Sequence, residues 1–249
     1  MSIAKLNVIV GVSGGDWGGK HRYMQALSEV LADLGCAVTI VADRAEQFDQ
    51  LPNLEVLEID WEADRAPRFM DAGDLYISSG RKDTALYCKW GLRPQVAFRH
   101  SGFPIAGDER VAYMSADSIV CPSMDLIRQH PFSEHPNVHL LRGWISQDVP
   151  RQRIASGSEP FRFGVVGRLS WEKEHEVVLG AFQEIVVSGE DVELVVAGEG
   201  PQMLALKEET RALGIEARVS FLGQVEDVWG LYAGLDALVF HSVARETGP

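Results

Sequence analysis

One three-part unit constrains this chain's fold more than anything else, and it occurs twice. It consists of an apolar stretch of strand length, a glycine at its end, and an amphipathic helix. In the first half, Leu6 to Val12 holds three valines and an isoleucine, as a strand buried on both faces of a parallel sheet requires. Ser13-Gly-Gly-Asp-Trp-Gly-Gly19 follows as a glycine-rich turn. From His21 to Leu34, Tyr23, Met24, Leu27, Val30, Leu31 and Leu34 recur at helical spacing. Gly35 ends that helix, and Ala37 to Val41 is the next strand. A βαβ opening of this kind commits the chain to the α/β class and a parallel sheet.

The alternation continues with strands expected at Leu54–Ile59, Leu75–Ser78, Gln95–Phe98, Ser118–Cys121 and Val138–Leu141. Helices are expected around Thr84–Trp90, Glu109–Ser115 and Met124–Gln129. Ile145 to Pro160 is polar, turn-rich and without period, as an interdomain linker would be. The expected organisation is therefore a domain over 1–145, a linker over 146–160 and a second domain over 161–249. The second domain repeats the logic, with strands at Phe161–Val166, Glu193–Ala197, Arg218–Leu222 and Ala237–Phe240. Its helices are expected from Glu174, at Gln202–Leu213 and around Val228–Leu235.

At the end of the first strand of that second half, Gly167 permits a turn, Arg168 stands at the strand tip and Lys173 lies five residues on, near a helix start. A guanidinium fork and a mobile ammonium beside a helix N-terminus suit a diphosphate. An ordinary surface loop with two solvated cations is the plainer reading of the same residues. In a doubly wound sheet of order 3-2-1-4, strands one and four are neighbours whose outgoing connections diverge. Arg168 and Lys173 follow strand one and Glu246 follows strand four, so this topology puts all three on one crevice.

Gly167-Arg168-Leu169 with Lys173, followed by the amphipathic Val177 to Ile185, resembles the signature of the family-four glycosyltransferases. Three later stretches match in order: Val195-Val-Ala-Gly-Glu-Gly-Pro201, Val219-Ser-Phe-Leu-Gly223, and Ala237-Leu-Val-Phe-His-Ser242 with Glu246. Each is weak alone, but the ordered set is specific. The resemblance implies a GT-B architecture, two Rossmann-like parallel-sheet domains facing a cleft, the second of them incomplete. It implies a retaining transfer of a hexose-type sugar from a nucleoside-diphosphate sugar to an acceptor hydroxyl. Arg168 and Lys173 would hold the donor diphosphate, Gly14 and Gly15 would let the first loop approach the phosphates, and His100 and Glu246 would face the sugar.

Neither a cofactor nor a metal is expected, because the two cations take the charge-neutralising role. The acceptor is a glycan, a lipid-linked or a small molecule. The second glutamate of the family's pair would fall eight residues after Glu246, beyond Pro249. On that ground the chain is expected to be a fragment with reduced or no activity. Two other readings stay open: a non-catalytic nucleotide-binding remnant, and a GT-B-fold sugar-nucleotide epimerase or hydrolase. For Glu246 and His100, a solvated carboxylate and a surface histidine are the plain alternatives.

Composition removes other classes. A formal net charge of −13 argues against a broad nucleic-acid surface. The local exception is Arg81, Lys82, Lys89 and Arg93 against Asp83. It reads as a solvated helix face or as an acceptor or membrane contact. Cys36, Cys88 and Cys121 are scattered, as buried thiols in a reducing compartment would be. With no apolar run of membrane-spanning length, a cytoplasmic location is expected, peripheral at the inner membrane face if the acceptor is lipid-linked. Gly14-x4-Gly19-Lys20 matches most of a P-loop, but His21 stands where a Ser or Thr should bind magnesium. Arg99, beside His100, is a second-choice anion ligand. His130, His135 and His139 make a loose group that Pro131 and Pro136 keep from aligning, and Trp17, Trp144 and Trp171 lie near expected loops, where they could stack on a base or sugar, with packing the plainer reading of each.

Overall fold

The computed structural model describes residues 5–14, 18–48, 51, 54–100, 105–128, 132–143 and 160–242. The chain divides into two compact units.

In the first unit, the strands among the described residues are β1 (Asn7–Val12), β2 (Ala37–Ala42), β3 (Glu55–Glu58), β4 (Leu75–Ser78), β5 (Gln95–Phe98), β6 (Ser118–Cys121) and β7 (Val138–Leu140). They form one sheet of order β3-β2-β1-β4-β5-β6-β7. Every pairing is parallel, with Val8 opposite both Val38 of β2 and Leu75 of β4. The connecting helices are α1 (Gly19–Asp33), α2 (Arg81–Lys89), α3 (Gly107–Ser115) and α4 (Met124–Arg128).

The period-2 geometry of a strand explains how both faces are filled. Val8, Val10 and Val12 of β1 pack with Met24 of α1, Ile40, Ile77 and Phe98. The intervening Ile9 joins Tyr87 of α2, Trp61, Tyr76 and Met70 on the opposite face. A strand apolar at nearly every position is thus the sequence form of a sheet covered on both sides.

The second unit holds β8 (Phe161–Val166), β9 (Val192–Ala197), β10 (Val219–Gly223) and β11 (Ala237–Leu238), with α5 (His175–Val187), α6 (Met203–Ala212) and α7 (Val228–Ala233). Among the described residues these strands form a parallel sheet of order β10-β9-β8-β11, the expected 3-2-1-4. Its core gathers Val165, Leu194 and Val196 from the sheet with Val178, Leu179 and Phe182 from α5 and Leu206 from α6.

Two elements differ from expectation. Helix α2 starts at Arg81 rather than Thr84, because the Asp83 carboxylate reaches back to accept the Ser79 N–H at 2.6 Å and satisfies a donor ahead of the first turn. Strand β11 is shorter than expected, although Val239 N–H still donates to Gly164 C=O at 2.7 Å just past its end.

Candidate functional site

In the second unit, the β8–α5 connection starts at a topological switch point, since β9 lies on one side of β8 and β11 on the other. Arg168 is presented between two backbone anchors. Gly167 N–H donates to Ala197 C=O at 2.9 Å, and Leu169 N–H to Glu199 C=O at 2.8 Å. The Leu169 side chain is fully buried, whereas Arg168 is exposed. The backbone approach that makes this possible needs glycine on the β9 side. A Cβ on Gly198 would lie 1.8 Å from the Gly167 carbonyl oxygen, and one on Gly200 2.2 Å from that of Leu169. Both glycines also have positive φ, 137° and 159°.

Beyond Arg168 the chain makes one 3-10 turn, Trp171–Lys173, passes through Glu174 in the left-handed region (φ 42°, ψ 49°) and enters α5 at His175. His175 is buried, and its Nε2–H donates to the Arg168 carbonyl at 3.0 Å, closing the loop on itself. The Lys173 ammonium lies 5.2 Å from the centre of the Phe240 ring, past the end of β11. Glu172 is subject to opposing effects. Burial acts to raise its carboxyl, but the Ser170 hydroxyl at 2.6 Å, a backbone N–H and the charges of Arg168 and Lys173 outweigh it and hold the group below its ordinary value. This edge therefore carries two positioned cations next to a helix start, an arrangement suited to an anion.

In the first unit, the switch point lies between β1 and β4. Their carboxyl ends bring together Ser13, Gly14, Ser79, Gly80 and Asp83, with Asp43 from the end of β2 and Lys20 from the first turn of α1. Asp83 is completely buried. It accepts from Ser13 Oγ at 2.8 Å and from the Ser79 N–H, and burial raises its carboxyl against the pull of Lys20 and these donors. The Lys20 ammonium donates to the Ser13 carbonyl, and the Asp43 carboxylate accepts the Gly14 N–H. Burial lowers the Lys20 ammonium, with Asp83 and Asp43 acting in the opposite direction. The lysine of the P-loop-like stretch is thus turned onto its own strand.

His100 follows β5, half-buried, stacked on Phe98 (ring centres 5.8 Å apart, 16° between planes) and edge-on to Tyr23 of α1 at 5.0 Å. Burial first, then the charges of Lys20 and Arg99, push its imidazole down to about 3, so it is neutral at neutral pH. Arg99 differs from the expectation of an anion ligand. Strand alternation sends it to the opposite face, where it is 3% exposed with its guanidinium 5.7 Å from the Tyr113 ring and 6.0 Å from Phe132.

Gly15, Glu246, Trp17, Trp144 and His130 lie outside the described residues. His135 uses both ring nitrogens internally: Nδ1 accepts from Asn137 N–H at 3.1 Å, so Nε2–H donates to Ala116 C=O at 3.0 Å. Among the described residues no group of three or more His, Cys, Asp or Glu is placed to hold a metal ion. The cation cluster is balanced: Arg81 pairs with Glu109 (3.4 Å), Lys82 with Glu62, Lys89 with Asp64 (3.3 Å) and Arg93 with Asp117 (3.0 Å). No described helix is long and apolar enough to cross a membrane.

Sequence reasoning missed the buried Asp83, the Glu174–His241 contact and the close-approach role of Gly198 and Gly200. Only the glycines carried a signal, inside the Val195–Pro201 match.

This architecture is the GT-B glycosyltransferase fold. Residues 146–249 match the model of the family described as glycosyl transferases group 1. No curated protein sequence matches the chain. Among solved structures it is similar to Anabaena Alr3699/HepE in complex with UDP and glucose, at 18% identity over 97% of this chain and 76% of that one, with a TM-score of 0.75. A glycosyltransferase from Rickettsia africae ESF-5 is 16% identical over 97% of this chain and 74% of its own, with a TM-score of 0.73. TarM of S. aureus, in complex with Fondaparinux, alpha-GlcNAc-glycerol and UDP, is 8% identical over 95% of this chain and 81% of that one, with a TM-score of 0.71.

Proposed function

We propose that this chain serves transfer of a hexose-type sugar from a nucleoside-diphosphate sugar to an acceptor hydroxyl, with retention of configuration. The observation that carries this reading is the backbone-locked Arg168 with Lys173 at the switch point of the second unit, inside the segment that matches the glycosyltransferase family. When the glycosidic bond breaks, negative charge grows on the phosphate oxygens of the leaving nucleoside diphosphate. Cations already in position stabilise that growth more than they stabilise the ground state. This chemistry asks for no metal or cofactor, since Arg168 and Lys173 supply the positive charge. His100 and Glu246 keep the roles the family resemblance implies, facing the sugar, and Gly14 and Gly15 that of a close-approach loop. A neutral imidazole at His100 suits hydrogen bonding to a sugar hydroxyl rather than to phosphate.

UDP is the first nucleotide to test, because two similar structures hold it. The acceptor is read as a glycan or small molecule. A membrane-borne acceptor would draw on Arg81 to Arg93, and the pairing of those cations weakens that option.

Calorimetry tests the reading. The chain should bind UDP more tightly than uridine, and Arg168→Ala should cost about 1.5–3 kcal/mol of UDP binding, the range for hydrogen bonds to charged groups. Equal affinity for UDP and uridine would sink the diphosphate assignment. Diphosphate binding without turnover of any sugar nucleotide tried would favour a binding module instead.

A further inference from the structure

Glu174 stands where glycine is at ease and a glutamate is not, with φ 42° and ψ 49° between the 3-10 turn and α5. Its carboxylate oxygen accepts from His241 Nε2–H at 2.7 Å, a contact between residues 67 apart in sequence. Two neighbours reinforce it. Ser242 Oγ donates to the Glu172 carbonyl at 2.9 Å, and the Phe240 ring lies 5.2 Å from the Lys173 ammonium. Three consecutive residues after β11 therefore grip three consecutive residues of the turn, with Lys173 in the middle.

We infer that Glu174 and His241 are positioning residues for the diphosphate site, fixing the turn that carries Lys173 through a contact between the exits of β8 and β11. The inference rests on the diphosphate reading of Arg168 and Lys173. If turn geometry alone mattered, a glycine would serve better at position 174, because it adopts this φ without strain. A glutamate there gives the turn a handle that β11 can hold. His241 gives that carboxylate a donor of its own, and Ser170 does the same for Glu172, whose hydroxyl contact is 2.6 Å. The carboxylates beside Lys173 are thus supplied from within the protein.

The test combines UDP and uridine titrations with hydrogen exchange of residues 171–178, on the full chain and on Glu174→Gly, His241→Ala, His241→Gln and the Glu174→Gly/His241→Ala pair. A UDP affinity about tenfold weaker is expected for Glu174→Gly and His241→Ala, with uridine affinity unchanged, since a misplaced charge contact is lost while the rest of the site stands. The double variant should fall no more than about twofold further, because both changes remove one coupled interaction. His241→Gln, which keeps a donor, should retain UDP affinity to within about threefold. Glu174→Gly should melt no lower than the unmodified chain, which separates positioning from loss of fold. Faster exchange across 171–178 is expected in His241→Ala, with or without nucleotide. UDP binding by Glu174→Gly and His241→Ala at full strength, or unchanged exchange in His241→Ala, overturns the inference. If the unmodified chain does not prefer UDP over uridine while His241→Ala still exchanges faster, the diphosphate reading falls and the role inferred for Glu174 and His241 at that site falls with it.

Discussion

Acid should weaken the first unit through His100 in a way that one substitution can isolate. Burial pushes the imidazole from 6.5 to about 3 in the native state, whereas the unfolded chain takes up the proton near 6.5. Between those values the unfolded state binds more protons, so stability falls as pH drops through that window and is fully present above it. Integrating this linkage from pH 7.5 to pH 5 gives a loss of about 2 kcal/mol from this residue, or about 4–8 °C in Tm for a chain of this size. Asp83 runs the other way. Its carboxyl is raised, chiefly by burial, so its contribution is present at low pH and is lost as pH rises through its native value. The two must therefore be separated, and His100→Gln does so by removing one titration and leaving the other. Calorimetric melts at pH 7.5 and 5 should show the unmodified protein losing about 2 kcal/mol more than the variant. An NMR titration should show an imidazole that does not protonate above pH 4. Equal pH dependence in the two proteins, or a His100 resonance titrating near 6.5, would refute the argument.

Two further outcomes are expected. Gly198→Ala combines a left-handed backbone with an atom 1.8 Å from the Gly167 carbonyl oxygen, and should cost about 2–5 kcal/mol. At Gly189, also at positive φ (90°) but in open space, alanine should cost about 1–2 kcal/mol; urea denaturation of both variants checks the difference. Asp83→Ala strands the Ser79 N–H and the Ser13 hydroxyl and should cost about 2–4 kcal/mol. By the same measurement Asp83→Asn, which keeps an acceptor without a charge, should cost less than about 1.5 kcal/mol.

Much of the fold was legible because its signals are local. Runs such as Val8 to Val12 and Val192 to Ala197 end in turn glycines, and right-handed crossovers between parallel strands leave few orders open. Arg168 was legible for the same reason, as a cation at the tip of a strand whose neighbours the topology fixes. What stayed hidden depends on backbone angles or distant partners. Nothing in Glu-Lys-Glu-His announces that Glu174 is left-handed, or that His241 will bond to it. Asp83 sits among cations in the sequence and looks like their counter-ion. In the structure those cations pair with Glu109, Glu62, Asp64 and Asp117, while Asp83 turns inward to Ser13 and Ser79.

Both units place polar residues at the carboxyl edge of a parallel sheet beside a switch point, but their described residues would meet a phosphate differently. In the first unit the available ammonium, Lys20, is half-buried, donates to the Ser13 carbonyl and lies in the field of Asp83 and Asp43. An incoming phosphate there would have to displace a backbone acceptor and approach two carboxyl groups, so both desolvation and charge oppose it. In the second unit Arg168 reaches solvent from a loop whose backbone is tied on both sides. The neighbouring Glu172 and Glu174 have donors of their own in Ser170 and His241. A backbone held this way fixes where the Arg168 side chain leaves the loop, which lowers the ordering cost of meeting a phosphate. Burial and hydrogen bonding around Lys20 thus support the proposal that Arg168 and Lys173, rather than the P-loop-like stretch, meet the diphosphate.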